Sequence, residues 1–375
     1  MRIGINTRFL LSSKMEGFGW YTYEVVKRMV KQHPEHEFVF FFDRPYDKKF
    51  IFGPNVKPVV LFPPTRAVVL IISWFEFALP AALKNEKIDI FFSPDGFLSL
   101  RAECKQIGVM HDLNFLHHPK DLPLRFRWYY NKFFPKFAKK AERLLTVSEY
   151  SKQDIVASYG IEPAKVKVAW NGASETFRPV TEQEKQKVRI QYAGGEPYFL
   201  FVGALHPRKN LKSLLKAFQI YRERGNKGKL LIVGANLFAT NHMEASLVAE
   251  EFRSDVHFTG HLSLEELAKV TASALALVFV PYFEGFGIPL VEAMRCGTPI
   301  IAGNLTSLPE VVGDAGILVN PFDTAEIATQ MQRLFVDEQL QKDLSEKGLQ
   351  RAPLFNWDFT ANAVWSVIEE VGKEL

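Results

Sequence analysis

From its first residues to about residue 335, the chain alternates short β-branched or aromatic runs with stretches of helical periodicity. Strands are expected at 2–6, 37–42, 56–61, 88–93, 106–110, 143–147 and 165–169, then at 198–202, 229–233, 256–259, 275–280, 299–302 and 316–319. Helices are expected at 20–32, 151–159, 211–223, 264–272, 289–295 and 324–335. Strands that alternate with helices over short connections leave room for little except βαβ units and parallel sheets. Two such series suit two doubly wound domains better than one oversized sheet, and 375 residues are enough for two cores. The stretch Trp170-Asn-Gly-Ala-Ser-Glu-Thr-Phe-Arg-Pro179, punctuated by turn formers after a strand, marks the boundary. In open α/β sheets ligands sit at the carboxyl ends of the strands, so a cleft between two such domains is the expected active site.

Composition narrows the setting. The two cysteines, Cys104 and Cys296, are far apart and in no metal-ligand spacing, which points to a reducing compartment without a disulfide framework. The N-terminus has no secretory pattern, and the apolar run 68–83 is broken by Glu76 and Pro80. A membrane span needs about 20 apolar residues, so a buried or interfacial helix is expected there. The net charge of +4 hides an asymmetry: residues 1–180 hold 27 Lys and Arg against 18 Asp and Glu. Bases alternate with aromatics between Arg125 and Lys140. No nucleic-acid motif accompanies them, which leaves an anionic membrane surface or an amphipathic helix with aromatics inward and lysines outward.

Four segments carry chemistry. The most informative runs from Val280 to Pro299, where a strand is followed by the loop Glu284-Gly-Phe-Gly287 and Pro289 opens a helix. Free N–H groups and the dipole at that helix start suit an anionic or hydroxyl-rich ligand, bracketed by Glu284 and Glu292. The second, Tyr198 to Leu211, puts Arg208 and Lys209 in a loop before a helix, where a guanidinium and an ammonium suit a diphosphate leaving group. The third, Lys14 to Thr22, has Gly17 and Gly19 in the loop before the first helix, allowing close backbone approach, though it is neither a dinucleotide fingerprint nor a P-loop. The fourth, Ile107 to Leu113, ends a strand at His111 and Asp112. The histidine could meet a sugar hydroxyl, or be structural, and the aspartate could cap the next turn. Asp-x-Asp, His-Glu-x-x-His, Gly-x-Ser-x-Gly and Cys-x-x-Cys are all missing, so metal and serine hydrolases have no visible machinery.

Taken together these strings resemble glycosyltransferase family 4, the group 1 glycosyl transferases. The resemblance is strongest from Tyr198 to Pro321, through Val-Gly-Ala-Leu-His-Pro-Arg-Lys-Asn, Val256-His-Phe-Thr-Gly260, Glu284 to Met294 and Ser307 to Ala315. Fainter matches are Gly17-Phe-Gly-Trp-Tyr-Thr, His111-Asp-Leu, Val147 to Lys152 and Trp170-Asn-Gly. It implies the GT-B fold: two Rossmann-like domains facing across a cleft, an acceptor-side domain at 1–173, a nucleotide-sugar domain at 174–355, and a last helix at 356–375 crossing back. It further implies that Glu292 binds the ribose, that Glu284 and the amides of Gly285, Phe286, Gly287 and Ile288 hold the sugar, and that Arg208 and Lys209 neutralise the diphosphate. His111 would reach the sugar, Gly17 and Gly19 would border the acceptor or phosphate side, and the base would lie near Gly234 and Gly260-His261. The family's usual arginine after Val-Gly is Ala204 here. Arg208 in a Pro-Arg-Lys-Asn string resembles a mannosyltransferase-rich branch.

The expectation is a retaining, metal-independent hexosyltransferase with no cofactor, best read as using GDP-mannose on a glycan or lipid-linked glycan. It would work in the cytoplasm or at the inner face of the membrane, without nucleic acid. A same-fold epimerase or phosphorylase, or a silent nucleotide-sugar-binding protein, are the alternatives.

Overall fold

The computed structural model describes residues 1–12, 15, 17–234 and 248–375. The chain forms two compact units, one of Met1–Asn171 with Trp357–Leu375 and the other of Gly172–Asn356.

In the N-terminal unit the strands are β1 (Arg2–Asn6), β2 (Glu37–Phe42), β3 (Val56–Val60), β4 (Ile90–Ser93), β5 (Lys105–Val109), β6 (Arg143–Thr146) and β7 (Val166–Val168). All are paired in parallel, in the order β3-β2-β1-β4-β5-β6-β7. Burial on both faces explains why β2 reads as a nearly unbroken Phe-Val-Phe-Phe-Phe run. Four helices of this unit matter below: α1 (Gly17–Gln32), α2 (Val68–Asn85), α3 (Leu124–Lys140) and α4 (Glu149–Tyr159). The apolar run 68–83 becomes α2, which is long and apolar enough to cross a membrane but buries Ile71, Trp74, Phe75, Leu79 and Leu83 in the core of this unit. Its middle turn, Trp74–Ala78, is π-helical.

The second unit repeats the plan. Its strands β8 (Tyr198–Val202), β9 (Lys229–Val233), β10 (Val256–Gly260), β11 (Ala276–Phe279), β12 (Ile300–Gly303) and β13 (Ile317–Val319) form a parallel sheet in the order β10-β9-β8-β11-β12-β13 among the described residues. Around it lie α5 (Glu182–Ala193), α6 (Leu211–Glu223), α7 (Leu264–Ser273), α8 (Ile288–Cys296), α9 (Thr324–Val336) and α10 (Glu338–Arg351). Starts of α5 and α7 are written in the sequence as capping boxes: Thr181 with Glu184, and Ser263 with Glu266. The last helix, α11 (Trp357–Gly372), packs on α1 within the N-terminal unit. Arg28 Nε donates to Asp358 Oδ1 at 2.7 Å, and His33 stacks on Trp365 with ring centroids 3.6 Å apart.

In both sheets the strand order reverses once, between β1 and β4 and between β8 and β11. Loops leaving the two flanking strands diverge there, so a crevice opens at the carboxyl ends of the strands. The segments singled out from the sequence leave β1, β5, β8 and β11.

Candidate active site

In the C-terminal unit the loops after β8 and β11 are joined by charge. Pro207–Lys209 form a single 3-10 turn, not an open loop, capped by His206, whose Nδ1 accepts the Arg208 N–H at 3.3 Å. Arg208 Nη1 donates to Glu284 Oε1 at 2.7 Å and to the Phe283 carbonyl at 3.2 Å, and Lys209 Nζ lies 2.5 Å from the same Oε1. Glu284 is buried. Burial would raise its carboxyl, but Arg208 and Lys209 outweigh that and hold it below the usual carboxylate value. Two cations therefore share one oxygen of a buried carboxylate.

Asn210, in left-handed backbone at φ +57°, ties this turn to the sheet. Its Nδ2 donates to the carbonyls of Val280 at 3.0 Å and Pro321 at 2.7 Å. The Glu284 loop is clamped from the other side, where its N–H donates to Thr306 Oγ1 at 3.3 Å and Ser307 Oγ donates to its carbonyl at 3.0 Å. None of Asn210, Thr306 and Ser307 was given a role from the sequence, although Asn210 and Ser307 stand in strings that carry the resemblance. Asparagine just before a helix was the one available signal, because it tolerates the left-handed region.

Beyond Glu284, Gly287 takes φ +98° and becomes the N-cap of α8, with Ile288 first and Pro289 second in the helix. A Cβ on Gly287 would sit 3.0 Å from Leu308 Cδ2, so backbone angle and space both require glycine there. The Phe286 side chain turns into the core against Phe355, at 5.6 Å between centroids, so only its backbone is available to a ligand. Glu292 is half-buried on α8, forms no ion pair with the described residues, and its carboxyl is pushed up to about 7 by desolvation. Gly234 follows β9, where its N–H donates to the Gly260 carbonyl at 3.0 Å, and His261 next to it is exposed. Residues 235–247 beyond Gly234 lie outside the described residues.

In the N-terminal unit, α1 begins at Gly17 and not at Trp20, so Gly17 and Gly19 stand in its first turn and not in the preceding loop. A Cβ on Gly19 would meet the Phe9 carbonyl at 2.7 Å, whereas nothing lies within 4 Å of one on Gly17. Lys14 and Glu16 of that loop lie outside the described residues. His111 Nε2 is 2.8 Å from the Pro94 carbonyl, and its ring meets the edges or faces of Phe18 and Tyr21, each at 4.8 Å. A carbonyl only accepts, so Nε2 carries the proton and Nδ1 is the acceptor in the neutral ring. Burial lowers the imidazole pKa, against the smaller opposing pull of the Pro94 carbonyl, Asp112 and Asp95. Asp112 Oδ1 accepts the Asn114 N–H at 3.0 Å and so caps the following turn. A buried pair missed in the sequence lies after β1 and β4: Arg8 Nε donates to Asp95 Oδ2 at 2.6 Å, with the guanidinium 4.0 Å from the centre of the Phe97 ring.

This layout, parallel strands with charged and glycine-lined loops at the reversal of strand order, meets its sequence counterpart in two family models. Residues 15–176 match Glycosyltransferase Family 4 and residues 182–351 match Glycosyl transferases group 1. The chain belongs to glycosyltransferase family 4. This glycosyltransferase is 28% identical over 365 residues to O-antigen chain mannosyltransferase B of Escherichia coli, covering 92% of the chain and 93% of that protein. It spans about a third of the longer E. coli mannosyltransferase WbdA, at 26% identity over 270 residues, 69% of this chain and 32% of that one. Its fold is that of sucrose-phosphate synthase from Thermosynechococcus elongatus, with a TM-score of 0.80 and 18% identity over the full length of both chains. It is also that of HepE from Anabaena, solved in complex with UDP-glucose, at a TM-score of 0.73 and 18% identity over 99% of this chain and all of that one. Both are GT-B architectures, the class read from the sequence.

Proposed function

We propose that this glycosyltransferase transfers mannose from GDP-mannose, with retention and without a metal ion, to a glycan or lipid-linked glycan on the cytoplasmic side of a membrane. The observation that carries the reading is the cluster of Arg208, Lys209 and Glu284 at the carboxyl ends of β8 and β11. Breaking the anomeric C–O bond leaves negative charge on the diphosphate and an oxocarbenium-like sugar. Cations already fixed by a buried carboxylate stabilise that charge without reorganising as it forms. With both cations on Oε1, the other oxygen of Glu284 is left to accept a sugar hydroxyl, and the amides from Gly285 to Ile288 supply donors at the start of α8. Glu292 would accept the ribose hydroxyls, and Gly234 and His261 would border the base. On the N-terminal unit, neutral His111 would offer Nδ1 to a sugar hydroxyl, while Gly17, Gly19 and Asp112 would line the phosphate or acceptor side.

Mannose is favoured by the mannosyltransferase names of the relatives and by the Pro207-Arg-Lys-Asn210 string. A nucleotide donor is in keeping with the UDP-glucose bound by HepE. Metal independence rests on the absence of an Asp-x-Asp pair and on two protein cations in the place where a metal would otherwise balance the diphosphate. No carboxylate is assigned as nucleophile, so the acceptor would attack from the face the diphosphate leaves.

The deciding experiment follows transfer from GDP-mannose and UDP-glucose to a lipid-linked acceptor by mass spectrometry, and reads the new anomeric centre by NMR. An α-mannoside from GDP-mannose is expected. A product of inverted configuration, or release of free sugar or epimerised donor without acceptor, would overturn the assignment.

A further inference from the structure

The basic, aromatic run around Arg125 to Lys140 takes part in none of the chemistry above. It forms α3, and the inner side of that helix is fully used. Tyr129, Phe134 and Phe137 are buried, and Phe97 packs against Tyr129 and Phe134 at 5.9 and 5.1 Å. The outer side is a different surface. Leu124 is 78% exposed and Trp128 51% exposed, one turn apart, and Lys132 and Lys136 continue the same stripe at helical spacing. Lys132 Nζ lies 4.9 Å from the centre of the Trp128 ring, and Leu124, Arg127, Trp128, Asn131 and Lys132 rim a shallow depression.

The composition of the helix decides what covers this face. Its 17 residues hold six bases and not one carboxylate, so the positive charges have no counter-ion on their own helix. Leucine and tryptophan held in water at the N-terminal end add an apolar cost. An anionic lipid surface relieves both at once. Indole settles at the headgroup level, leucine reaches the acyl boundary, and lysines lie over the phosphates with their stems along the apolar edge. A nucleic acid would answer the charge but leave Leu124 in water.

We propose that the outer stripe of α3, Leu124, Trp128, Lys132 and Lys136, docks the N-terminal unit on an anionic membrane surface. This deepens the membrane-side reading of the function and rests on it for its purpose, but its test needs no turnover. The full chain is floated with vesicles of phosphatidylcholine alone and of phosphatidylcholine with phosphatidylglycerol. Binding is expected only to the anionic vesicles, weakening as salt rises. Lys132→Glu with Lys136→Glu should lower the partition by roughly fivefold or more per base. Leu124→Ser with Trp128→Ala should lower it about tenfold, with melting temperature and donor binding unchanged in both variants. Equal binding to neutral vesicles, wild-type partition of either variant, or preference for single-stranded RNA over vesicles would each overturn the proposal. If no transfer is found but vesicle binding behaves as described, the catalytic reading fails and the docking surface stands.

Discussion

Glu284 and Glu292 stand eight residues apart and shift in opposite directions, because one has two cations beside it and the other pairs with none among the described residues. Replacing Glu284 by alanine removes the carboxylate that two half-buried cations share. Transfer is expected to fall about 100-fold, with a loss of melting temperature, since removing one partner of a buried ion pair costs about 3–5 kcal/mol. For Glu292 the consequence is a pH dependence. With its carboxyl at about 7 in the folded chain, against an ordinary 4.5, the group is half protonated near neutrality. A carboxylate that accepts ribose hydroxyls must be ionised, so nucleoside diphosphate affinity should climb with pH up to about 7 and then level off. Calorimetric titration across this range would see the slope, and Glu292→Gln should flatten it. The stability contribution runs the other way: a raised folded pKa favours folding fully below 4.5 and loses that benefit as pH rises through about 7. Thr306 belongs to the same scale. A β-branched residue at φ +57° is strained, and its hydroxyl holds the Glu284 N–H. Thr306→Gly should therefore melt slightly higher yet transfer more slowly, and an unchanged kcat would show that the clamp is not needed.

At the level of elements, the glycines separate into those demanded by contact and those that are not. Gly19→Ala drives a methyl into the Phe9 carbonyl at 2.7 Å and should disturb the start of α1, whereas Gly17→Ala meets nothing and should melt like the wild type. Gly234→Ala is more severe, with the new carbon 1.8 Å from the Gly203 carbonyl, so the ends of β8 and β9 would have to part. Differential scanning calorimetry of the three variants checks the ranking. Periodicity placed most strands within a residue or two, because fully buried parallel strands must be apolar throughout, as β2 and β8 are. It fell short at α1, whose first turn holds Gly17 and Gly19. Glycine reads as loop from the sequence, and only the packing of Gly19 on the Phe9 carbonyl explains its place in a helix.

At the level of the whole molecule, the donor reading predicts that GDP or GDP-mannose raises the melting temperature selectively. A ligand at 100 times its Kd stabilises by about 2.7 kcal/mol, a shift easily read in a thermal scan. Transfer should persist in EDTA, and restoration of activity by added divalent ions after chelation would refute the metal-free mechanism. The sequence by itself determined the two parallel sheets and the glycine-flanked loop before α8, because each follows from local periodicity, turn chemistry and backbone sterics. Tertiary structure alone decided that Arg208 and Lys209 share one oxygen of Glu284 and that Arg8 meets Asp95. It also decided that Phe286 is spent on the core and that Leu124 and Trp128 face outward. Those are contacts between residues distant along the chain, or choices between two faces of one helix. Neither has a local signature, since the same residue types satisfy the same local rules whichever partner the fold brings.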